Sequence, residues 1–133
     1  MSNKVTKFNW SGAYGNFIGI KKPVTAKAAS YSVTAAESGT VFTTTGATGA
    51  VTFTLPAKSE GLHYWFYNVA DQDMIVAPDA VDTMVAFNDA AADSVATSTA
   101  TEQIGGAFFV ICDGTKWLAM NVSAGANTVT VAT

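Results

Sequence analysis

The sequence predicts an all-β fold, a single small antiparallel β-sandwich or barrel with an extended N-terminal arm. Three observations predict it. A chain of 133 residues has the length of one domain. Short apolar segments alternate with clusters of Gly, Asp, Ser and Pro at turn-like intervals. Thr, a strand former, is abundant, and no segment shows convincing helical periodicity. We therefore expect an arm in residues 1–30 and a β body in residues 31–133.

The arm is basic and aromatic. It contains five of the seven lysines and no acid, whereas the body carries all ten acids and two lysines. Disordered tails hold few large apolar groups, so we expect the arm to become ordered on a partner or against the body. The residues expected to bind that partner are Lys4, Lys7, Phe8, Trp10, Tyr14, Phe17, Ile18, Ile20, Lys21 and Lys22.

Seven segments of the body are predicted to be strands, in the order YSVT, TVFTT, AVTFTL, LHYWFYNVA, MIVA, AFFVIC and KWLAMNV. In AVTFTL, Val51, Phe53 and Leu55 alternate with threonines, which predicts one buried face and one wet face. The segment HYWFYNVA has large side chains at both parities, as in a central strand covered on both faces or facing a neighbouring subunit. Asp113-Gly114 predicts a hairpin turn before the last of these strands.

Two parts of the body are less regular. Residues 86–106, rich in Ala, Asp, Ser and Thr, are compatible with a short helical turn or a long exposed loop. The C-terminal tail resumes a weak strand pattern at Val129 and Val131, where a strand added to a neighbour's sheet edge is one interpretation.

Few residues carry chemistry, and we expect no catalytic residue, no metal site and no cofactor. His63, the single histidine, lies in a predicted strand, and no G-x-S-x-G motif is present. Cys112 lies in an apolar segment and is predicted to be a small buried hydrophobe. A zinc site of the usual N/S type is excluded with one His and one Cys. A cluster of acids is interpreted as turn residues in preference to a calcium site: Asp71, Asp73, Asp79 and Asp82.

Nucleic acid and membrane are not expected partners. Arginine, the preferred side chain for bidentate phosphate contacts, is absent, and the lysines of the arm are spread out. No apolar run approaches the roughly 20 residues that cross a bilayer, and residues 1–20 lack the apolar core of a secretory signal. With one cysteine and no internal disulfide, the chain fits synthesis in a reducing cytoplasm.

Residues 31–119 resemble a module of tailed-bacteriophage virion proteins. The matched pattern is T-A-x-x-S-G-x-x-F-T-x-T-G-A-T-G-x-V-T-F-T-L-P, followed by an aromatic strand and a closing strand pair with D-G-x-K-W. Proteins with this module include capsid decoration (cement) proteins and parts of tail fibres or tailspikes. Because this chain has no heptad stem or collagen-like repeat, it looks more like the decoration type. The resemblance implies a non-enzymatic protein on the capsid surface, a homotrimer by family analogy, whose arm binds the major capsid protein.

Two alternatives stay open. One is a tail-fibre or tail-tip module for recognition of host-surface glycans, with Trp65, Tyr67 or Trp117 as stacking platforms. The other is a glycan hydrolase that uses two of the body's carboxylates, which would have to lie about 5–9.5 Å apart.

Overall fold

The computed structural model of the protein describes residues 21–123 and 125–133, and these residues form an all-β fold of two packed sheets. A short 3-10 helix, Ala35–Glu37, follows the second strand. In chain order the strands are β1 Val24–Ala26, β2 Tyr31–Ser32, β3 Val41–Thr43, β4 Val51–Thr54, β5 His63–Tyr67, β6 Met74–Ala77, β7 Met84–Ala86, β8 Asp89–Ala92, β9 Ser94–Thr97, β10 Ala107–Cys112, β11 Trp117–Asn121 and β12 Thr130–Ala132.

Both sheets are mixed. The seven-stranded sheet has the order β1-β3-β5-β10-β11-β7-β8, and the five-stranded sheet has the order β12-β9-β6-β4-β2. The first six strands alternate between the sheets, so β1, β3 and β5 are parallel neighbours, as are β2, β4 and β6. The strands β5, β10 and β11 pair antiparallel, as do β6, β9 and β12. The predicted two-sheet, all-β architecture is confirmed, but the pairing is not wholly antiparallel. Among the first six strands, the crossover between two parallel neighbours of one sheet contains a strand of the other sheet.

The body's hydrogen bonding begins within the segment that the sequence assigned to the arm. Strand β1 pairs in parallel with β3, with Val24 opposite Val41 and Ala26 opposite Thr43. The Lys27 backbone N–H then donates to the Thr43 carbonyl at 2.8 Å. Among the described residues, β1 is therefore an edge strand of the seven-stranded sheet.

The core lies between the sheets and is aromatic at its centre. Phe42 of β3 packs against Phe53 of β4 and Phe66 of β5, with ring centroids 5.7 and 5.8 Å apart. Phe53 and Phe66 close this triangle at 4.9 Å, and all three side chains are buried. The predicted alternation in AVTFTL is confirmed, because Val51, Phe53 and Leu55 are buried and the threonines between them are half-buried.

The hairpin predicted at Asp113-Gly114 is confirmed between β10 and β11. Cys112 pairs with Trp117 across the turn. The Asp113 Oδ1 atom accepts hydrogen bonds from the backbone N–H groups of Thr115 and Lys116, both at 2.8 Å, and Gly114 has a φ of 99°. Cys112 is buried with a free thiol, as predicted.

The prediction for residues 86–106 was wrong in its first half. This segment contains β8 and β9, and β8 pairs antiparallel with β7. The connection is Phe87-Asn88, with φ values of 49° and 72°. Two successive residues with positive φ are the arrangement of a type I′ hairpin turn. Phe is an unusual residue there, and Ala-rich strands have low β-propensity, so neither signal was visible in the sequence.

Buried polar side chains join the connections at one end of the two sheets. Thr44, which follows β3, donates through Oγ1 to Asn68 Oδ1 at 2.6 Å. Asn68, which follows β5, donates through Nδ2 to the Gln72 carbonyl at 2.8 Å and to Thr97 Oγ1 at 3.2 Å. Thr44, Asn68 and Thr97 are fully buried. Because each bond satisfies a buried polar group, the network fixes how these connections meet.

Candidate interaction surface

The outward side chains of the seven-stranded sheet form an apolar surface, here called the aromatic face. The strand registers align them in rows across β1, β3, β5, β10, β11 and β7. The face carries no Asp, Glu, Lys or Arg side chain. Its large side chains are Val24, Val41, His63, Trp65, Tyr67, Val85, Phe109, Ile111, Leu118 and Met120, and Ala26, Thr43 and Ala107 occupy its smaller positions.

The centre of the aromatic face is a packed pair of rings on the two central strands. Trp65 of β5 lies opposite Phe109 of β10, with ring centroids 4.5 Å apart and planes tilted by 44°. The His63 ring lies 6.0 Å from the Phe109 ring. Tilted pairs at this spacing are a favourable aromatic arrangement, so the centre is a preformed apolar platform.

The margin of the face is open to solvent. Val24 is 65% exposed, Tyr67 and Met120 are each 47% exposed, and Val85 is 36% exposed. Val122, immediately after β11, adds a further side chain that is 48% exposed. A contiguous apolar surface of this kind on a sheet marks an interaction site more often than an isolated exposed residue does.

The outer surface of the five-stranded sheet differs in chemistry. Its outward positions are mainly small or hydroxylated residues, and Ile75 is its single large apolar side chain. They are Ser32, Thr52, Thr54, Ile75, Ala77, Ser94, Ala96, Thr130 and Ala132. The outer surface of the seven-stranded sheet is therefore apolar, whereas that of the five-stranded sheet is mainly small and hydroxylated. HYWFY occupies a central strand, as predicted, and its outward side chains belong to the apolar side.

His63 is held in place by neighbouring backbone and hydroxyl groups. Its Nδ1 atom lies 3.0 Å from the Gly61 carbonyl oxygen, which can only accept, so Nδ1 carries the proton in this contact. The His63 backbone N–H donates to Ser38 Oγ at 3.1 Å. These contacts orient the ring toward Phe109 and give it a packing role on the face.

Two of the ten residues predicted to bind a partner lie in the described part of the chain. Lys21 and Lys22 are exposed, and Lys22 Nζ lies 5.9 Å from the centroid of the Trp65 ring. At this distance an ammonium is attracted to the face of an indole. The other eight lie outside the described residues: Lys4, Lys7, Phe8, Trp10, Tyr14, Phe17, Ile18 and Ile20.

The aspartates that are clustered in the sequence between residues 73 and 82 have separate partners in the structure. Asp82 forms an ion pair with Lys58 at 2.6 Å, and Asp73 accepts a hydrogen bond from Gln103 Nε2. The Asp79 carbonyl accepts the Asp82 backbone N–H at 2.8 Å, as in a turn. In residues 21–123 and 125–133, no three potential His, Cys, Asp or Glu ligands come together.

The structure corrects the candidate stacking platforms. Trp117 is fully buried, and its ring packs 6.1 Å from the Tyr64 ring in the core. It cannot stack on a ligand at the surface, whereas Trp65 and Tyr67 lie on the aromatic face. The sequence did not separate these three residues, because the face on which a tryptophan lies depends on register. One further signal was available in the sequence. HYWFY and AFFVIC both carry large apolar side chains at odd and at even positions, as strands with two apolar faces do.

No pocket is found in the part of the chain that the structure describes. Nor do these residues include a helix with the length and apolar character to cross a membrane.

Comparison with known proteins adds no relative to this description. The sequence matches no model of a protein family, and no curated protein matches it significantly.

Proposed function

We propose that this chain is a non-enzymatic virion structural protein of the capsid decoration (cement) type, which binds the major capsid protein of a phage head through its N-terminal arm. The acidic β body then faces outward, and the subunit acts within a homo-oligomer, a trimer by analogy with decoration proteins. This proposal gives the chain a structural role at the capsid surface, without a cofactor, nucleic acid or membrane.

The observation that carries the proposal is the position of the described part of the arm, residues 21–30, on the body. The arm reaches the body at edge strand β1, beside the aromatic face, and Lys22 lies over Trp65. None of the ten acids occupies an outward position of that face. The described part of the basic arm and the apolar side therefore meet at one border of the body. Such a border suits attachment to a large protein surface, where aromatic side chains contribute most of the binding energy.

A truncation tests the proposal, and the position of β1 determines which residues can be deleted without removing a strand. Deletion of residues 2–20 leaves β1 intact, whereas a cut at residue 28 removes a strand of the sheet. We expect the truncated protein to keep the circular dichroism of a β fold and to lose binding to expanded heads that lack the protein. Undiminished binding to those heads would refute the role of the arm.

A matched pair of charge variants sharpens this test. Lys21→Ser with Lys22→Ser removes two positive charges where the arm meets the body. The control is Lys58→Ser with Lys116→Ser, which removes the same charge from the body. We expect only the first pair to weaken head binding and to reduce its salt dependence. Equal effects of the two pairs would argue against a contact localised at the arm.

Copy number and position in the particle test the assignment to the capsid. Quantitative mass spectrometry of purified virions should give hundreds of copies, and gold-labelled antibody should decorate the head in electron micrographs. A few copies, with label confined to the tail, would contradict a decoration role.

A tail-fibre or tail-tip module for glycan recognition is the second candidate, and the exposure of Tyr67 beside Trp65 favours it. Aromatic rings on an exposed sheet face can stack on sugars. If the chain has this role, Tyr67→Ala should abolish retention on host-surface glycans, whereas Tyr31→Ala, beside the core, should not. Equal retention by the wild-type protein and Tyr67→Ala would remove this candidate.

A further inference from the structure

Within the described residues, no apolar segment covers the aromatic face, and Lys22 Nζ is the group that lies over its Trp65 ring. The inner side of the same sheet is fully covered by the second sheet. Phe42, Phe66 and Phe108 bury the inner side against the second sheet. On the outer side, Trp65 and Phe109 form the platform described above. The centre of the face is half-buried, and its margin at Val24, Tyr67, Val85 and Met120 is exposed. Contact of these apolar groups with water is unfavourable, and its removal is the driving force for a further segment to bind there.

The path of the chain indicates which segment that is. Between residue 20 and strand β1 lie only Lys21, Lys22 and Pro23. In this short connection the Lys22 ammonium is above the Trp65 ring, which is two strands away from β1 in the sheet. The Lys22 side chain of this connection therefore turns toward the aromatic face, so that the tether of residues 8–20 is at the border of that face.

The composition of this preceding segment is complementary to the face. Residues 8–20, FNWSGAYGNFIGI, contain six large apolar side chains and no charge. Three glycines lie between its large apolar residues and allow the backbone to approach a flat surface closely. An apolar, uncharged segment is expected to pack on an apolar, uncharged surface when it is tethered beside that surface, because tethering raises its effective concentration.

Residues 8–20 are long enough to cross the aromatic face. From β1 to β11 the face crosses four strand spacings, or about 19 Å at about 4.8 Å per spacing. Residues 8–20 extend to about 40 Å at about 3.3 Å per residue. The segment can therefore cross the face from Val24 to Met120 and still turn once.

We propose that residues 8–20 pack against the aromatic face of their own chain in the free subunit. The segment then shields Trp65 and Phe109 from water until the subunit meets its partner. This inference goes beyond the proposed function, because it concerns the protein before attachment. It also makes the arm of the proposed function a segment with two successive positions, first on the body and then on the shell.

Nuclear magnetic resonance of the full-length chain tests the proposal directly. In a uniformly labelled sample we expect nuclear Overhauser contacts from Phe17, Ile18 or Ile20 to the rings of Trp65 and Phe109. A mixture of labelled and unlabelled chains, recorded with isotope filtering, should show none of these contacts between chains. Contacts found only between chains would overturn the proposal and assign the face to a second copy.

Fluorescence quenching with full-length variants gives an independent readout. In a Trp10→Phe background, the emitting side chains are Trp65, on the face, and Trp117, in the core. Adding Phe17→Ser, Ile18→Ser and Ile20→Ser should remove the contacts above and increase quenching of Trp65 by acrylamide. Val81→Ser is the matched control, because Val81 is 87% exposed in the connection after β6, and it should change neither signal.

An unchanged quenching of Trp65 in the triple variant, together with an absence of segment contacts, would show that the face stays open and would overturn the proposal. Both measurements use the free protein. They can therefore fail while head binding succeeds, or succeed while head binding fails.

Discussion

Gly106 provides the sharpest test of the packing between the two sheets. It lies immediately before β10, next to Thr97 at the end of β9. A Cβ atom on Gly106 would lie 2.2 Å from Thr97 Cγ2 and 2.9 Å from Thr97 Cβ. Thr97 is fully buried and its Oγ1 accepts the hydrogen bond from Asn68 at 3.2 Å, so a shift of its side chain disturbs both its packing and this bond. The change Gly106→Ala should therefore displace Thr97 and disturb the buried polar network.

The expected loss of stability follows from these contacts. Carbon atoms pack best at about 3.5–4.0 Å, so the contact to Thr97 Cγ2 must lengthen by more than about 1 Å. Overpacking of a core costs about 1–3 kcal/mol, and a disturbed hydrogen bond costs about 1 kcal/mol. We expect Gly106→Ala to lower the free energy of unfolding by about 3 kcal/mol, a large part of the roughly 5–15 kcal/mol of a typical domain.

Urea unfolding followed by circular dichroism measures this loss. With a slope of about 2 kcal/mol per molar urea, the midpoint should fall by about 1.5 M. Gly49→Ala is the matched control, because a Cβ atom there meets nothing within 4 Å and Gly49 has no positive φ. Its free energy of unfolding should change by no more than about 0.5 kcal/mol.

A double variant isolates the contact responsible. Thr97→Ser removes Cγ2 and keeps the hydroxyl that Asn68 needs. Gly106→Ala combined with Thr97→Ser should therefore be more stable than the sum of the single effects predicts, by about 1 kcal/mol or more. If the two effects are simply additive, or if Gly106→Ala behaves like Gly49→Ala, the packing argument is refuted.

Three further predictions concern single side chains. Burial raises the pKa of Glu37, but hydrogen bonds from Thr34 and Tyr31 and the charge of Lys27 outweigh it, so the pKa lies below 4.5. The ionised Glu37 therefore contributes to the free energy of unfolding above pH 4.5, and this contribution is lost as the pH falls through the lowered pKa. Acid titration of stability should show this loss in the wild-type protein and not in Glu37→Gln. Burial, followed by the charge of Glu37, raises the pKa of Tyr64 from 10.0 to about 12, so the free energy of unfolding should fall as the pH rises between these values. Tyr64→Phe should remove that pH dependence. Because the variant also lacks the 2.8 Å hydrogen bond to the Thr34 carbonyl, it should lose about 1 kcal/mol of stability at neutral pH. Phe87 has a φ of 49° and is 48% exposed, so Phe87→Asn should raise the melting temperature by relieving about 1 kcal/mol of left-handed strain; a lower melting temperature would show that the ring is needed where it lies.

The strands that the sequence predicted best are those whose burial alternates along the chain. AVTFTL and the Asp113-Gly114 hairpin were located from local signals alone, because alternation and turn chemistry are properties of a few adjacent residues. The partner of each strand was not predictable in this way. Val51 pairs with Met74 in parallel, and its segment would show the same alternation with an antiparallel neighbour.

The candidate interaction surface depends on such pairing and was only partly predictable. Trp65 and Phe109 each stood out as large side chains at outward parity, but their contact needs the register between β5 and β10. The same limit explains why Trp117 was proposed for the surface and lies in the core. The buried bonds of Asn68 were missed because their partners lie 24 and 29 residues away in the chain.

The alternation of the first six strands between the sheets determines how the chain must fold. Among these six strands, parallel neighbours are always separated in the chain by a strand of the opposite sheet, so this part of neither sheet can form by pairing consecutive strands. Among the described strands, only β7–β8 and β10–β11 are hairpins with short connections, and such units form within about 1–10 μs. The alternating strands need long loops to close first, and all-β domains of this kind fold in milliseconds to seconds. During synthesis, the strands made first must therefore wait for their partners, with β5 lacking one neighbour until β10 has emerged.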